Sequence, residues 1–239
     1  MLTSKTYFAD FGQDITRSIR ALVTSPGFTT VALLSLGMGI CIAACAFSEM
    51  NGIVLRNLPV VSKPDELVAL ELPVTYPEFK RYRERSDLFV AATAYIAPVP
   101  FTVSFAGHKE RTWGHLVSGS YFSTLGVAPA MGRLFGVAEE QAGTTPEVVL
   151  SFRFWKERLG SAAVVGKTLQ VNGTPCTVVG IGPKDFLGAS PALYVADLWV
   201  PVTVGSQLAP ELKNDALNRN DLALFHVVGR LKPSRLLKN

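Results

Sequence analysis

The sequence predicts an α+β chain: an N-terminal amphipathic helix, a single transmembrane helix, and then a domain of hairpins interleaved with short helices. Three observations carry that expectation. Residues 27–48 hold no charged side chain. Asn172-Gly173 lies between two apolar segments, the strongest short-range hairpin signal a sequence offers. Past residue 57 the elements are short, and helical and strand patterns alternate. The corresponding divisions are 1–26 for the amphipathic helix, 27–56 for the span and 57–239 for the globular domain.

In the leader, Tyr7, Phe8, Phe11, Ile15, Ile19, Leu22 and Val23 recur at helical spacing, while Asp10, Asp14, Arg17, Ser18 and Arg20 fall on the other side. A helix lying in a membrane interface has this layout. A helix packed on a soluble core has it too, but direct continuation into an uncharged run favours the membrane surface. Ser25-Pro26-Gly27 breaks the two helices, because proline disfavours helix in the residue before it.

A helix rises ~1.5 Å per residue, so ~20 apolar residues cross a bilayer core, and the run 27–48 clears that length. Two rivals exist. Ala44-Cys45-Ala46 imitates a signal-peptide exit, and Ile42-Ala43-Ala44-Cys45 resembles the box before a lipid-modified cysteine. The run is longer than the ~7–15 apolar residues of a signal, and its leader carries Asp10 and Asp14; an uncleaved span is the stronger reading. Lys5, Arg17 and Arg20 precede the span and Arg56 and Lys63 follow it, which favours a cytoplasmic N-terminus. The bulk of the chain is then expected outside the cytoplasm, which for an inner membrane of a bacterium, crossed once, means the periplasm. Ser35, Gly39 and Ala43 form a stripe of small residues that suits packing on another helix, although small residues are common in any span.

In the globular part, 66–72 reads as a strand. Thr75-Tyr76-Pro77-Glu78 fits a capping box opening a helix through about Arg85. Segments 101–105 and 109–117 read as a hairpin around Ala106-Gly107-His108. A short helix over 120–125 stops at Gly126, and Ser151 caps a helix that Gly160 closes. Segments 169–171 and 176–181 flank the Asn172-Gly173 turn, and 198–202 and 225–231 complete the strands.

Candidate chemistry is thin. The 23 Lys+Arg and 19 Asp+Glu leave a formal charge of +4 without a basic block, so nothing argues for nucleic acid. Cys176 is alone in the globular part, which excludes an intramolecular disulfide there. His108, His115 and His226 share no metal-ligand spacing with one another or with Cys176. Gly180-Ile181-Gly182-Pro183-Lys184 lacks the ending of a phosphate loop. Asn172-Gly173-Thr174 matches a glycosylation acceptor, but a turn explains it better. No Gly-x-Ser-x-Gly elbow exists, and Lys80, Arg81, Arg83, Glu84 and Arg85 read as a solvated helix face. No catalytic, cofactor or metal site is expected, and the chain is not expected to be an enzyme.

Several stretches resemble the MacB-like/FtsX-like permease family of ABC systems, in its periplasmic core domain. Arg17-Ser-Ile-Arg-Ala-Leu-Val-Thr-Ser-Pro-Gly-Phe-Thr29 and Val54-Leu-Arg-Asn-Leu-Pro59 are similar to that family's first helix and its exit. Val117-Ser-Gly-Ser-Tyr-Phe-Ser-Thr-Leu-Gly126 with Gly132-Arg-Leu-Phe135 resembles a family stretch centred on Tyr121, Phe122, Gly126, Gly132 and Arg133. Val148-Val-Leu-Ser-Phe-Arg-Phe-Trp155 and Val165-Gly-Lys-Thr-Leu-Gln-Val-Asn-Gly173 resemble another, with Trp155, Asn172 and Gly173. Thr177-Val-Val-Gly180, Asp197-Leu-Trp-Val-Pro201 with Trp199, and Val228-Gly-Arg-Leu-Lys-Pro233 complete a collinear match, closest to the duplicated orphan permeases without a fused ATPase. Read physically, these residues end helices, turn hairpins and supply core area.

The resemblance implies an α/β core of two subdomains above the membrane, coupled mechanically to ATP-driven motion of the membrane helices. It implies a permease subunit of an export, efflux or lipoprotein-handling system. The implied partners are membrane lipid, other permease helices, a separate ABC ATPase and a second copy in a homodimer. Family members continue past the Gly-Arg-Leu-Lys-Pro stretch into further periplasmic strands and three more spans, between which the ATPase-binding surface lies. This sequence stops at Asn239, so the expectation is a C-terminally truncated permease whose core has an open sheet edge. A stand-alone, membrane-anchored binding or adaptor module is the alternative.

Overall fold

The structure is a computed structural model. It describes residues 25–54, 60–85, 87–140, 145–189, 194–209 and 216–232, with the side chains of 26–31 and 33–41 in the first helix. Residues 1–24 of the expected amphipathic helix and the side chain of Cys45 lie outside the described residues. The chain divides between Arg56 and Asn57 into two units.

In the first unit, α1 runs over Pro26–Val54, 29 residues or about 43 Å at ~1.5 Å per residue. Phe28, Val31, Leu33, Leu34, Leu36, Met38 and Ile40 are 61–71% exposed and point around its whole circumference. The hydroxyls of Thr29, Thr30 and Ser35 donate to the carbonyls of Ser25, Pro26 and Val31, one turn back. Among the described residues no helix is long and apolar enough to cross a membrane.

The second unit is α+β. Its elements are β1 (Leu67–Ala69), α2 (Tyr76–Glu84), β2 (Phe89–Phe105), β3 (His108–Val117), α3 (Tyr121–Leu125), β4 (Met131–Gly132), β5 (Glu147–Leu150), α4 (Phe152–Glu157), β6 (Thr168–Val171), β7 (Thr174–Ile181), β8 (Leu198–Pro201), α5 (Gly205–Leu208) and β9 (His226–Leu231). Local chemistry sets most boundaries. Thr75 Oγ1 accepts from the Glu78 N–H at 3.3 Å while the Glu78 carboxylate accepts from the Thr75 N–H at 2.9 Å, a closed capping box with Pro77 in the first turn of α2. Asn172 and Gly173, at φ 49° and 82°, make the type I′ turn that matches the twist of β6 and β7. Ser151 Oγ accepts from the Phe154 N–H at 3.0 Å and starts α4, which ends at Glu157, three residues short of Gly160. At α3 the Ser120 hydroxyl donates to the Ala92 carbonyl instead of capping the helix.

Among the described residues nine strands form one mixed sheet. β3–β8 and β5–β7 are parallel; the other pairs are antiparallel. β6 pairs with both β7 and β2, where Val171 faces Val103. This closes β2, β3, β8, β5, β7 and β6 into a six-stranded ring. β9 and then β1 extend the sheet from the first half of β2, and β4 adds to β7. Among the described residues the sheet ends in strands of three and two residues, β1 and β4, which offer little length for edge pairing.

The 17-residue β2 runs through both regions of the second unit: its first half pairs with β9 and its second half with β6. Two apolar clusters lie on the two faces. Phe101, Val103, Leu116, Val148, Leu150, Leu169, Val171, Cys176, Val178, Leu198 and Val200 fill the ring. Tyr95, Tyr121, Phe122, Leu125, Phe135, Phe186 and Trp199 form the outer cluster.

Candidate functional site

The outer cluster gathers much of the motif chemistry. Tyr121 and Phe122 of α3 meet edge to face at 5.2 Å, and Phe122 lies 5.6 Å from Trp199 of β8. Phe186 stacks on Trp199 at 5.3 Å and lies 6.0 Å from Phe122, so the three rings form a triangle. The Tyr121 phenol accepts from the Ala189 N–H at 2.7 Å, and burial pushes its pKa well above the ordinary phenol value. Tyr95 stacks between His115, at 5.9 Å, and His226, at 5.4 Å. His115 is 1% exposed and its Nδ1 has no hydrogen-bond partner. Burial pushes its pKa down to about 4, with the nearby His226 adding to the shift. Among the described residues no carboxylate orients its Nδ1, as one would in a general base.

The remaining motif residues hold turns and strand junctions. Gly132 has φ 69°, and a Cβ there would sit 2.3 Å from the Val179 carbonyl oxygen, so only glycine fits. Arg133 donates to Glu139 at 2.6 Å and to both oxygens of Glu147, at 2.6 and 2.7 Å. Burial works against the Glu139 charge, yet the Gly136 N–H and Arg133 hold its carboxyl below the ordinary value. Trp155 donates its indole N–H to the Ala162 carbonyl at 2.9 Å and packs on Phe152. Asn172 accepts from the Thr102 N–H at 2.7 Å and donates to the Leu208 carbonyl at 2.6 Å, bridging the β6–β7 turn to β2 and α5. Gly126 ends α3 in the left-handed conformation, at φ 68°. In α1, Ser35 is exposed, Gly39 has no atom within 4 Å of where a Cβ would lie, and the Ala43 side chain is outside the described residues.

His108 is exposed at the start of β3, away from the other two histidines. Cys176 lies inside the ring, where burial pushes its thiol up to about 11, the opposite of an activated nucleophile. Among the described residues no three His, Cys, Asp or Glu side chains gather around a common point. A cavity of about 560 Å³ is lined by Tyr76, Lys80, Arg83, Glu140, Thr203 and Ser206. Its charges are internally engaged: Arg83 pairs with Glu140, and the Lys80 ammonium sits 5.2 Å from the Tyr76 ring centre.

Arg230 lies in the Val228–Pro233 stretch that resembles the family, but sequence reasoning gave it no role; its side chain is 13% exposed. Its Nε donates to the Thr124 carbonyl at 3.0 Å, Nη2 to the Ser62 carbonyl at 2.7 Å, and Nη1 to the Lys63 carbonyl at 3.2 Å and to Glu66 at 3.0 Å. All these acceptors are more than 100 residues away, so no local pattern signals them.

The fold and these contacts define an α+β module whose family-like residues hold turns, caps and cores. The chain belongs to the family of the MacB-like periplasmic core domain, whose model matches residues 28–235. No curated protein matches the sequence. Among solved structures, the periplasmic region of MacB from Actinobacillus actinomycetemcomitans is similar, at 14% identity and a TM-score of 0.53, over 68% of this chain and 66% of that one. The extracellular domain of the noncanonic ABC-type transporter YknZ from Gram-positive bacteria is similar at 12% identity and a TM-score of 0.52, over 72% of this chain and 87% of that one. At these identities the likeness is one of fold.

Proposed function

We propose that the chain is the first membrane helix and periplasmic core of an ABC transporter permease, and that the core transmits motion of membrane helices without chemistry of its own. The observation that carries this reading is the family match over 28–235, which runs from the helix through to the end of β9. The surface of α1 supports the anchor. A helix apolar on all sides, with its hydroxyls bonded to its own carbonyls, is suited to hydrocarbon and poorly suited to water. In this reading Ser35, Gly39 and Ala43 form the seam against another permease helix. Export, efflux or lipoprotein handling is the class of task, with a separate ABC ATPase as the engine.

The test is purification from source membranes in mild detergent, followed by limited proteolysis of the globular domain with and without ATP. Recovery of an ABC ATPase, together with an ATP-dependent change in cleavage, supports the reading. An assembly without any ATPase and without a nucleotide effect overturns it.

A further inference from the structure

We propose that Arg230 is a latch that locks residues 61–66, the segment leading into the globular unit, onto β9 and the end of α3. The sheet then follows any displacement delivered at residue 60. The inference rests on the transmission reading above and specifies where force would enter the sheet.

Three observations converge on it. The first is the fan of Arg230 bonds, in which one planar guanidinium gathers the carbonyls of Ser62, Lys63 and Thr124 and the carboxylate of Glu66. Lysine could not reproduce that fixed fork. The second is close backbone approach. The Ser62 N–H donates to the Leu125 carbonyl at 3.1 Å, and a Cβ on Gly126 would fall 2.6 Å from the Ser62 Cβ, so a side chain there would push the segment off α3. The third is conformation. Val60 and Lys63 hold φ of 71° and 48°, a region a β-branched residue adopts only when its surroundings impose it. Lys63 Nζ adds a pair to Glu66 at 3.1 Å, and Arg230 and Lys63 together hold the Glu66 carboxyl below its ordinary value.

Topology gives the latch its leverage. Arg230 faces Leu67 in the β1–β9 ladder, so the strand that opens the domain is paired with the last described strand. β9 also pairs with β2, the strand shared by both parts of the sheet. With the latch closed, residues 61–66 and the sheet move as one body. With it open, the segment absorbs the displacement as slack.

The full chain in lipid nanodiscs tests this by hydrogen exchange at single amides. In Arg230→Ala the Ser62 and Glu66 amides are expected to exchange at least about tenfold faster, while Leu116 and Val149 in the core strands are unchanged. Arg230→Lys is expected to fall between, and it decides by the same pattern if the alanine variant does not fold. Unchanged exchange at Ser62 and Glu66 overturns the latch, as does an equal rise at all four amides. A failed latch leaves the ATP-dependent cleavage change intact, whereas loss of that change with a normal exchange pattern defeats only the transmission reading.

Discussion

Lowering the pH from 7 to 5 is expected to destabilise the globular domain by about 2 kcal/mol through His115. The ring packs on Tyr95 and Trp199, and His226 also stacks on Tyr95. Its pKa in the fold is about 4 against an ordinary 6.5. Above 6.5 both the folded and unfolded states carry a neutral ring, and stability is intact. Between 6.5 and about 4 only the unfolded chain takes up the proton, so each pH unit costs the fold about 1.4 kcal/mol. Below about 4 both states are protonated and the loss levels off near 3 kcal/mol. His226 is also lowered by burial and acts in the same sense. Glu66 and Glu139, whose ordinary value is 4.5, lose their contribution mainly below that pH and leave the 7-to-5 window largely to the histidines. Urea titrations at both pH values, followed by tryptophan fluorescence in wild type, His115→Leu and His226→Gln, read the effect at constant slope. An equal midpoint at pH 7 and 5, or a His115→Leu protein that keeps the full drop, would show that His115 does not set the pH dependence.

Other substitutions probe the remaining features. Gly132→Ala forces a Cβ towards the Val179 oxygen at positive φ and is expected to cost about 2–4 kcal/mol in the same titration. Asn172→Ala leaves the Thr102 N–H and the Leu208 carbonyl without their partner; a loss of about 2 kcal/mol in thermal or urea unfolding is expected. Ser151→Ala removes the cap of α4 and is expected to cost about 1 kcal/mol, again by urea midpoint. Gly39→Leu fills the small-residue stripe of α1. Crosslinking of α1 to neighbouring helices in native membranes is expected to fall, and unchanged crosslinking would count against the seam.

The features legible in the sequence are those whose physics acts over a few residues. Thr75 and Glu78 close their box at i,i+3, Asn172-Gly173 dictates its own turn, and Ser151 reaches an amide three residues on. Long-range features left no such trace. The first half of β2 escaped because Ala92, Thr93, Ala94 and Tyr95 are all buried, which erases the period of two, and because Pro98 and Pro100 read as breaks. A register shift between Ile96 and Val99 lets the strand continue past them. β5 hid for the same reason, with Val148, Val149 and Leu150 buried in succession. Ring closure depends on Val103 meeting Val171, and the Arg230 fan on acceptors at the other end of the unit. At the candidate site the motif residues were visible, but the stacking of His115, Tyr95 and His226 is made only by strand pairing.

The most direct measurement of the central claim, a domain held outside the cytoplasm by α1, is thiol accessibility in intact cells with a permeabilised outer envelope. Cys41, Cys45 and Cys176 are replaced by alanine, and single cysteines are placed at Lys109, exposed on β3, and at Ser4 in the leader. Lys109→Cys is expected to react with a membrane-impermeant maleimide at once, while Ser4→Cys reacts only after the inner membrane is opened. The reverse pattern, or recovery of the protein in the soluble fraction, would contradict that claim.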